Sequence, residues 1–201
     1  MARNARYDRQ TALEKAVHLF WERGYHATSM KQIEQALDMR PGSIYATFGS
    51  KDQLFSEALD AYAAQGQSLL SSLQNRQNSI IDGLQSYLQN IAIACHPGSP
   101  EPSKACMLVK TLLEASYTHN SISGQANELL KGVEMSIADA LHIALDRGEL
   151  KPSTDCDRLA RFIQAQIMGL RAYAQRKTSA KQVSELAEDM AALLEPYRAK
   201  H

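Results

Sequence analysis

Apolar residues recur at the spacing of an α-helix along almost the whole chain, and alternating β-branched runs bounded by turns are missing. That pattern restricts the chain to an all-α fold. Leu13, Ala16, Val17 and Phe20 form one buried stripe, predicting a helix from Asp8 to Arg23 that Gly24 ends. A second helix begins after Thr28, a favourable N-cap, and turns Met30, Ile33 and Leu37 inward. After a short Asp38-Met39-Arg40 turn, Pro41 opens a third helix that ends near Phe48-Gly49. Ser50-x-x-Gln53 has the capping-box spacing, so a fourth helix starts at Lys51 and runs to about Leu73.

Longer helices follow. Ser79-x-x-Asp82 opens one that reaches about Cys95, and three prolines between Pro97 and Pro102 then break helicity. Further helices are expected over 104–116 and 123–147, the latter stopped by Gly148. Thr154-x-x-Asp157 should cap the eighth, reaching about Lys177, and Ser179-x-x-Gln182 the ninth, which Pro196 ends. Nine helices result, three short and six longer. A head of residues 1–52 and a body of 53–201 are expected, joined by a continuous fourth helix.

Charge is distributed unevenly on this neutral, 201-residue chain. Residues 1–51 carry eight Lys/Arg against five Asp/Glu, leaving the remainder net acidic. A small basic head on a neutral-to-acidic body suits contact with DNA. No apolar run approaches the ~18 residues that cross a bilayer. The charged N-terminus leads into no apolar signal core, so a cytoplasmic protein is expected. Cys95, Cys106 and Cys156 form no C-x-x-C or zinc-type spacing, and no metal or cofactor is expected. HExxH, P-loop and GxSxG patterns are also missing, which argues against a helical enzyme.

The sharpest signal is the segment 24–55, GYHATSMKQIEQALDMRPGSIYATFGSKDQLF. Gly24-Tyr25, Ala27-Thr28-Ser29, Ile33, Leu37, Gly42-Ser43-Ile44-Tyr45, Phe48, Lys51 and Leu54 resemble the DNA-binding domain of the TetR family of transcriptional regulators. The residues alone point the same way. Two short helices joined by a tight turn and packed on a third make a helix-turn-helix. In the third helix Ile44 and Phe48 face inward, leaving the small residues Pro41, Gly42, Ser43, Ala46 and Thr47 outside to approach base edges in a major groove.

Individual roles follow from chemistry and from the resemblance. Thr28, as N-cap of the second helix, is expected to offer its hydroxyl and nearby N–H groups to a phosphate. Tyr45 resembles the family's phosphate-binding tyrosine, and also suits packing. Lys51 stands at a helix N-terminus, where cation and dipole together favour phosphate. Arg40 and Thr47 are the candidates for base readout, with phosphate the alternative for Arg40. Arg3 and Arg6 form either an arm on the minor groove or backbone, or a charged tail. Ala46-Thr47 stands where many relatives carry bulkier aromatic or His residues, which bears on the bases read.

The resemblance implies a homodimer through the eighth and ninth helices, which places two heads on a palindromic double-stranded operator. Leu159, Phe162, Ile163, Ile167 and Leu170 stripe one of these helices, and Val183, Leu186, Met190, Leu193 and Leu194 the other. It also implies a small-molecule inducer held by the body, which releases the repressor from DNA. Candidate lining residues are Tyr87, Ile91, Met107, Leu108, Leu112, Tyr117, Met135, His142, Phe162, Gln166 and Tyr173, with core packing the simpler role for each. A second reading is a thiol-based sensor of oxidants or electrophiles. Cys106 opens the sixth helix near Lys104 and Lys110, with Cys95 as a partner across the loop. An activator is a third.

Overall fold

The computed structural model describes residues 8–74, 79–96, 99 and 105–199. Among these, nine α-helices follow in order: α1 (Arg9–Arg23), α2 (Met30–Leu37), α3 (Pro41–Phe48), α4 (Lys51–Gln74), α5 (Ile80–Ala94), α6 (Met107–Ala115), α7 (Asn120–Asp146), α8 (Cys156–Ala174) and α9 (Ala180–Ala192). A 3-10 turn, Glu195–Tyr197, ends the fold. The fold is all-α.

Local chemistry explains most boundaries. Asp8 caps α1, accepting from the N–H groups of Gln10 and Thr11, and the Thr11 hydroxyl bond foremost holds its carboxyl below the usual range. Ser79 caps α5 by accepting from Asp82 N–H, and Ser179 with Gln182 makes a full capping box on α9. Three expectations shift. α8 is capped by Asp155, whose carboxylate accepts from Arg158 N–H at 2.9 Å, rather than by Thr154. α6 begins at Met107, because Ala105 N–H is bound to Gln175 Oε1 at 3.0 Å and Cys106 remains outside the helix. α7 begins at Asn120, three residues early, with the N–H of Ser123 already bonded to the carbonyl of His119.

The chain forms two compact units. The first comprises the described residues of Met1–Ala64 together with Met107–Leu129, so it takes in α1–α3, the start of α4, α6 and the start of α7. Its core is aromatic and aliphatic: Phe20 meets Phe55 edge-on at 4.8 Å, and Trp21 meets Tyr62 at 4.9 Å. Val17, Ile33, Leu37, Ile44, Phe48, Leu54 and Leu59 are buried around them.

The second unit comprises Gln65–Cys106 and Leu130–His201. Ile80, Leu84 and Leu88 of α5 pack with Ile137 and Leu141 of α7, and with Leu159 and Ile163 of α8. A second cluster joins Ile91 and Leu170 to Val183 and Ala187 of α9. The chain's end is tied down as well. Leu150 and Arg198 form an isolated antiparallel bridge, and the Arg198 guanidinium donates to Asp82, Gln85, Glu195 and Ser79.

Candidate nucleic-acid interface

α2 and α3 are joined by a turn of three residues. Asp38 takes the left-handed conformation at φ 54°, which a short polar side chain tolerates. Met39 is buried beneath the turn, while Arg40 occupies the N-cap position of α3 and stays exposed. Pro41 follows at the start of the helix, where no N–H is missed.

α3 divides cleanly into two faces. Ile44 and Phe48 are 1% and 3% exposed and anchor it from behind. Pro41, Gly42, Tyr45 and Ala46 are exposed, and Ser43 and Thr47 are half-buried. Thr47 Oγ1 donates to the Ser43 carbonyl at 2.7 Å, so its hydroxyl has acceptor capacity left. A Cβ built on Gly42 would meet nothing within 4 Å. No neighbour in the chain therefore requires glycine there, and its smallness instead leaves room for a close external approach.

Sequence reasoning missed how firmly α3 is held at its far end. Arg9 Nη2 bonds Glu57 at 2.6 Å while its guanidinium lies 5.0 Å over the Phe48 ring, tying the start of α1 to α3 and α4. No local pattern signals that contact.

Two expected phosphate ligands stand differently from the sequence expectation. Thr28 does not cap α2. It is 1% exposed, and its hydroxyl donates to the Gly24 carbonyl at 2.6 Å. Ser29 is the cap, in a full capping box with Gln32. The adjacent polar residues compete for that position, and burial of Thr28 decides between them. Lys51 Nζ donates to the Tyr25 carbonyl at 2.7 Å and lies 4.1 Å over the Tyr25 ring. Burial lowers the Lys51 pKa, with Asp52 and Glu114 opposing. Arg3 and Arg6 lie outside the described residues.

Tyr25 is the centre of a polar cluster. Its hydroxyl donates to Asp52, and His119 Nε2 lies 3.2 Å from the other carboxylate oxygen. Burial first, then Asp52, pushes the Tyr25 phenol up to about 12. The Tyr25 bond foremost holds the Asp52 carboxyl below the usual range.

The proposed lining residues are scattered. Tyr117 is 97% exposed and Met135 65%, so neither lines an enclosed cavity. His142 is exposed, with Nε2 3.4 Å from Asp157. Met107 and Leu108 are buried and Leu112 half-buried in the first unit. In the second, Ile91 is buried, while Tyr87, Phe162 and Tyr173 are partly buried against its two clusters and Gln166 is half-buried. None of the three cysteines is in a disulfide. Cys95 and Cys156 are buried and Cys106 half-buried. Burial, then the neighbouring carboxylates of Asp157, Asp155 and Asp146, raises the Cys156 thiol.

Comparison with known proteins places these features in a wider setting. Residues 12–58 match the model of bacterial regulatory proteins, tetR family, and residues 83–190 that of the tetracyclin repressor-like C-terminal domain. The HTH-type transcriptional repressor ComR of Escherichia coli strain K12 is 28% identical over 185 residues, covering 90% of this chain and 86% of its own. Among solved structures, a cysteine mutant of the regulator CifR complexed with 26bp double-strand operator DNA superposes with a TM-score of 0.84 at 25% identity, covering 95% of this chain and 98% of that one. A regulator from Cytophaga hutchinsonii shares the fold at a TM-score of 0.81 and 20% identity, over 96% of each chain.

Proposed function

This chain belongs to the tetR family of bacterial regulatory proteins and is a DNA-binding transcriptional regulator, and from that premise we propose that it is a repressor which lays α3 into the major groove of a palindromic operator. The observation that carries this reading is the split face of α3. Ile44 and Phe48 are sunk in the core, and Pro41, Gly42 and Ala46 face outward with little bulk to keep a base edge away, beside the exposed Tyr45 ring. Arg40 and Thr47 flank that face as the base-reading pair, and Tyr45 and the N-terminus of α2 take phosphates.

One such head reads few base pairs, so two copies should pair to span half-sites about 34–36 Å apart. Partly buried Phe162 and Ile167 of α8, Leu186 and Met190 of α9, and Leu193, 47% exposed, support pairing through the last two helices. A small molecule held in the second unit would release DNA by favouring a form whose two heads are wrongly spaced. No helix among the described residues is long and apolar enough to cross a membrane, which suits work on cytoplasmic DNA. The chain's family is one of regulators rather than enzymes.

The test is selection of bound fragments from genomic DNA, followed by fluorescence anisotropy on the recovered duplex and sedimentation of the free protein. A dimer that prefers the recovered duplex over scrambled DNA by ~1,000-fold is expected. A monomer with equal affinity for both would overturn the proposal.

A second reading rests on Cys106, half-buried immediately before α6 where Cys95 and Cys156 are buried. There, oxidant or electrophile acting on the Cys106 thiol would release DNA. Unchanged oxidant response in Cys106→Ser would remove this reading.

A further inference from the structure

One face of α6 is built to hold the backbone of the α1–α2 turn. Lys110 Nζ donates to the carbonyls of Trp21 at 2.5 Å and Glu22 at 3.1 Å, two of the acceptors left over where α1 ends. One helical turn later, the Glu114 carboxylate accepts from two consecutive amides, Tyr25 N–H at 3.2 Å on Oε2 and His26 N–H at 2.6 Å on Oε1. Four residues further on, Thr118 Oγ1 is 2.8 Å from His26 Nε2. The residues fall at i, i+4 and i+8, a single line along α6 and the turn after it. Lys51 completes the grip from α4 by binding the Tyr25 carbonyl, so this residue's N–H and C=O are both held by charged side chains. Gly24 lets the carboxylate in: at φ +84° it accepts the backbone bend, and a Cβ there would stand 2.5 Å from Glu114 Oε2.

The turn gripped in this way runs directly into Ser29, the cap of α2, and so sets where the first N–H groups of α2 point. We infer that Lys110 and Glu114 are positioning residues for DNA binding: from α6 they hold the backbone of residues 21–26 so that the N-terminus of α2 meets a phosphate. The inference rests on the DNA-binding reading above. It adds two residues, far from α3 in sequence, that touch no DNA themselves.

Charge and geometry single out the informative variants. Glu114→Gln keeps the shape but replaces one of two acceptors by an NH2 that faces an amide donor. Lys110→Met keeps the stem and removes the donor. Leu113→Gln is the control, on the same helix but 75% exposed. Each full-length variant is titrated against the genomically selected duplex over a series of salt concentrations, alongside thermal melting. Loss of charge-assisted bonds to the turn is expected to weaken binding about tenfold in Glu114→Gln and in Lys110→Met. The dependence of log K on log salt should fall by about one phosphate, because a mis-aimed α2 drops a backbone contact. Leu113→Gln should match the wild type in both.

A purely structural role would lower the melting temperature and the active fraction while leaving the salt slope intact, and that result overturns the inference. Wild-type affinity and slope in both variants overturn it equally. If the wild type itself prefers no recovered duplex, the DNA-binding reading fails first and the positioning role falls with it.

Discussion

Tyr25 gathers more kinds of interaction than any expected DNA contact. Its ring packs edge-on against Phe55 at 5.0 Å, its hydroxyl donates to Asp52, and its peptide is held by Glu114 and Lys51. Folding raises the phenol from its ordinary 10 to about 12, so the folded state favours the neutral form. The stabilisation is therefore fully present below pH 10 and is lost as pH rises through about 12. Melting curves from pH 9 upward should fall more steeply for the wild type than for Tyr25→Phe. Parallel curves would show that the hydroxyl is not coupled to folding. The neighbouring Gly24, at φ 84° and ψ 176°, occupies a region nearly closed to other residues. Gly24→Ala should cost about 1–3 kcal/mol in denaturant unfolding, and it should cost less in a Glu114→Ala background, where the new methyl has no carboxylate to displace.

At the level of the helix, α3 separates what folds the head from what reads DNA. Ile44→Ala opens a cavity behind the helix and should lower stability by about 2–5 kcal/mol. Ala46→Glu sits on the exposed face and should change stability by no more than about 0.5 kcal/mol. The same change places a carboxylate against the duplex and should abolish selective binding. Equal loss of stability in the two variants would contradict the division of faces. That division was legible in the sequence, because Ile44 and Phe48 are one helical turn apart while Pro41, Gly42, Ser43, Ala46 and Thr47 around them are small. The ends of α1 and α3 were legible too, since Gly24 and Pro41 act through their own backbone geometry. The caps of α2 and α8 each lie one residue beyond the position that the sequence suggests. Thr28 and Ser29, like Thr154 and Asp155, are adjacent capping residues of which the second is the stronger N-cap, and Ser29-x-x-Gln32 also has the capping-box spacing that the structure uses. The grip of α6 on the first turn had no local signal at all: Glu114 and Tyr25 are 89 positions apart. The bond from Lys51 to the Tyr25 carbonyl has no local signal either, the two residues being 26 positions apart.

Across the whole molecule, the chain's end is a structural part of the second unit. Arg198 links Asp82 and Gln85 of α5 to Glu195, while Glu149 accepts from Ser79 Oγ and Ile80 N–H. Arg198→Ala should cost about 1–2 kcal/mol, measured by chemical unfolding at neutral pH. Arg198 foremost holds the Glu195 carboxyl below its ordinary 4.5, so this contribution is present above that value and fades as acid protonates the group. The penalty of the variant should therefore shrink at low pH.

The membership of α6 in the first unit also has a consequence for how the protein is made. The helices that read DNA are synthesised before α6, yet the residues that complete their compact unit run to Leu129. At bacterial elongation rates of about 5–20 residues per second, roughly 3–13 s separate synthesis of Ala64 from that of Leu129. A nascent chain halted between Ala64 and Lys110 lacks the lysine and carboxylate that close the α1–α2 turn, so the protein should acquire its finished grip on an operator only after Glu114 has been translated.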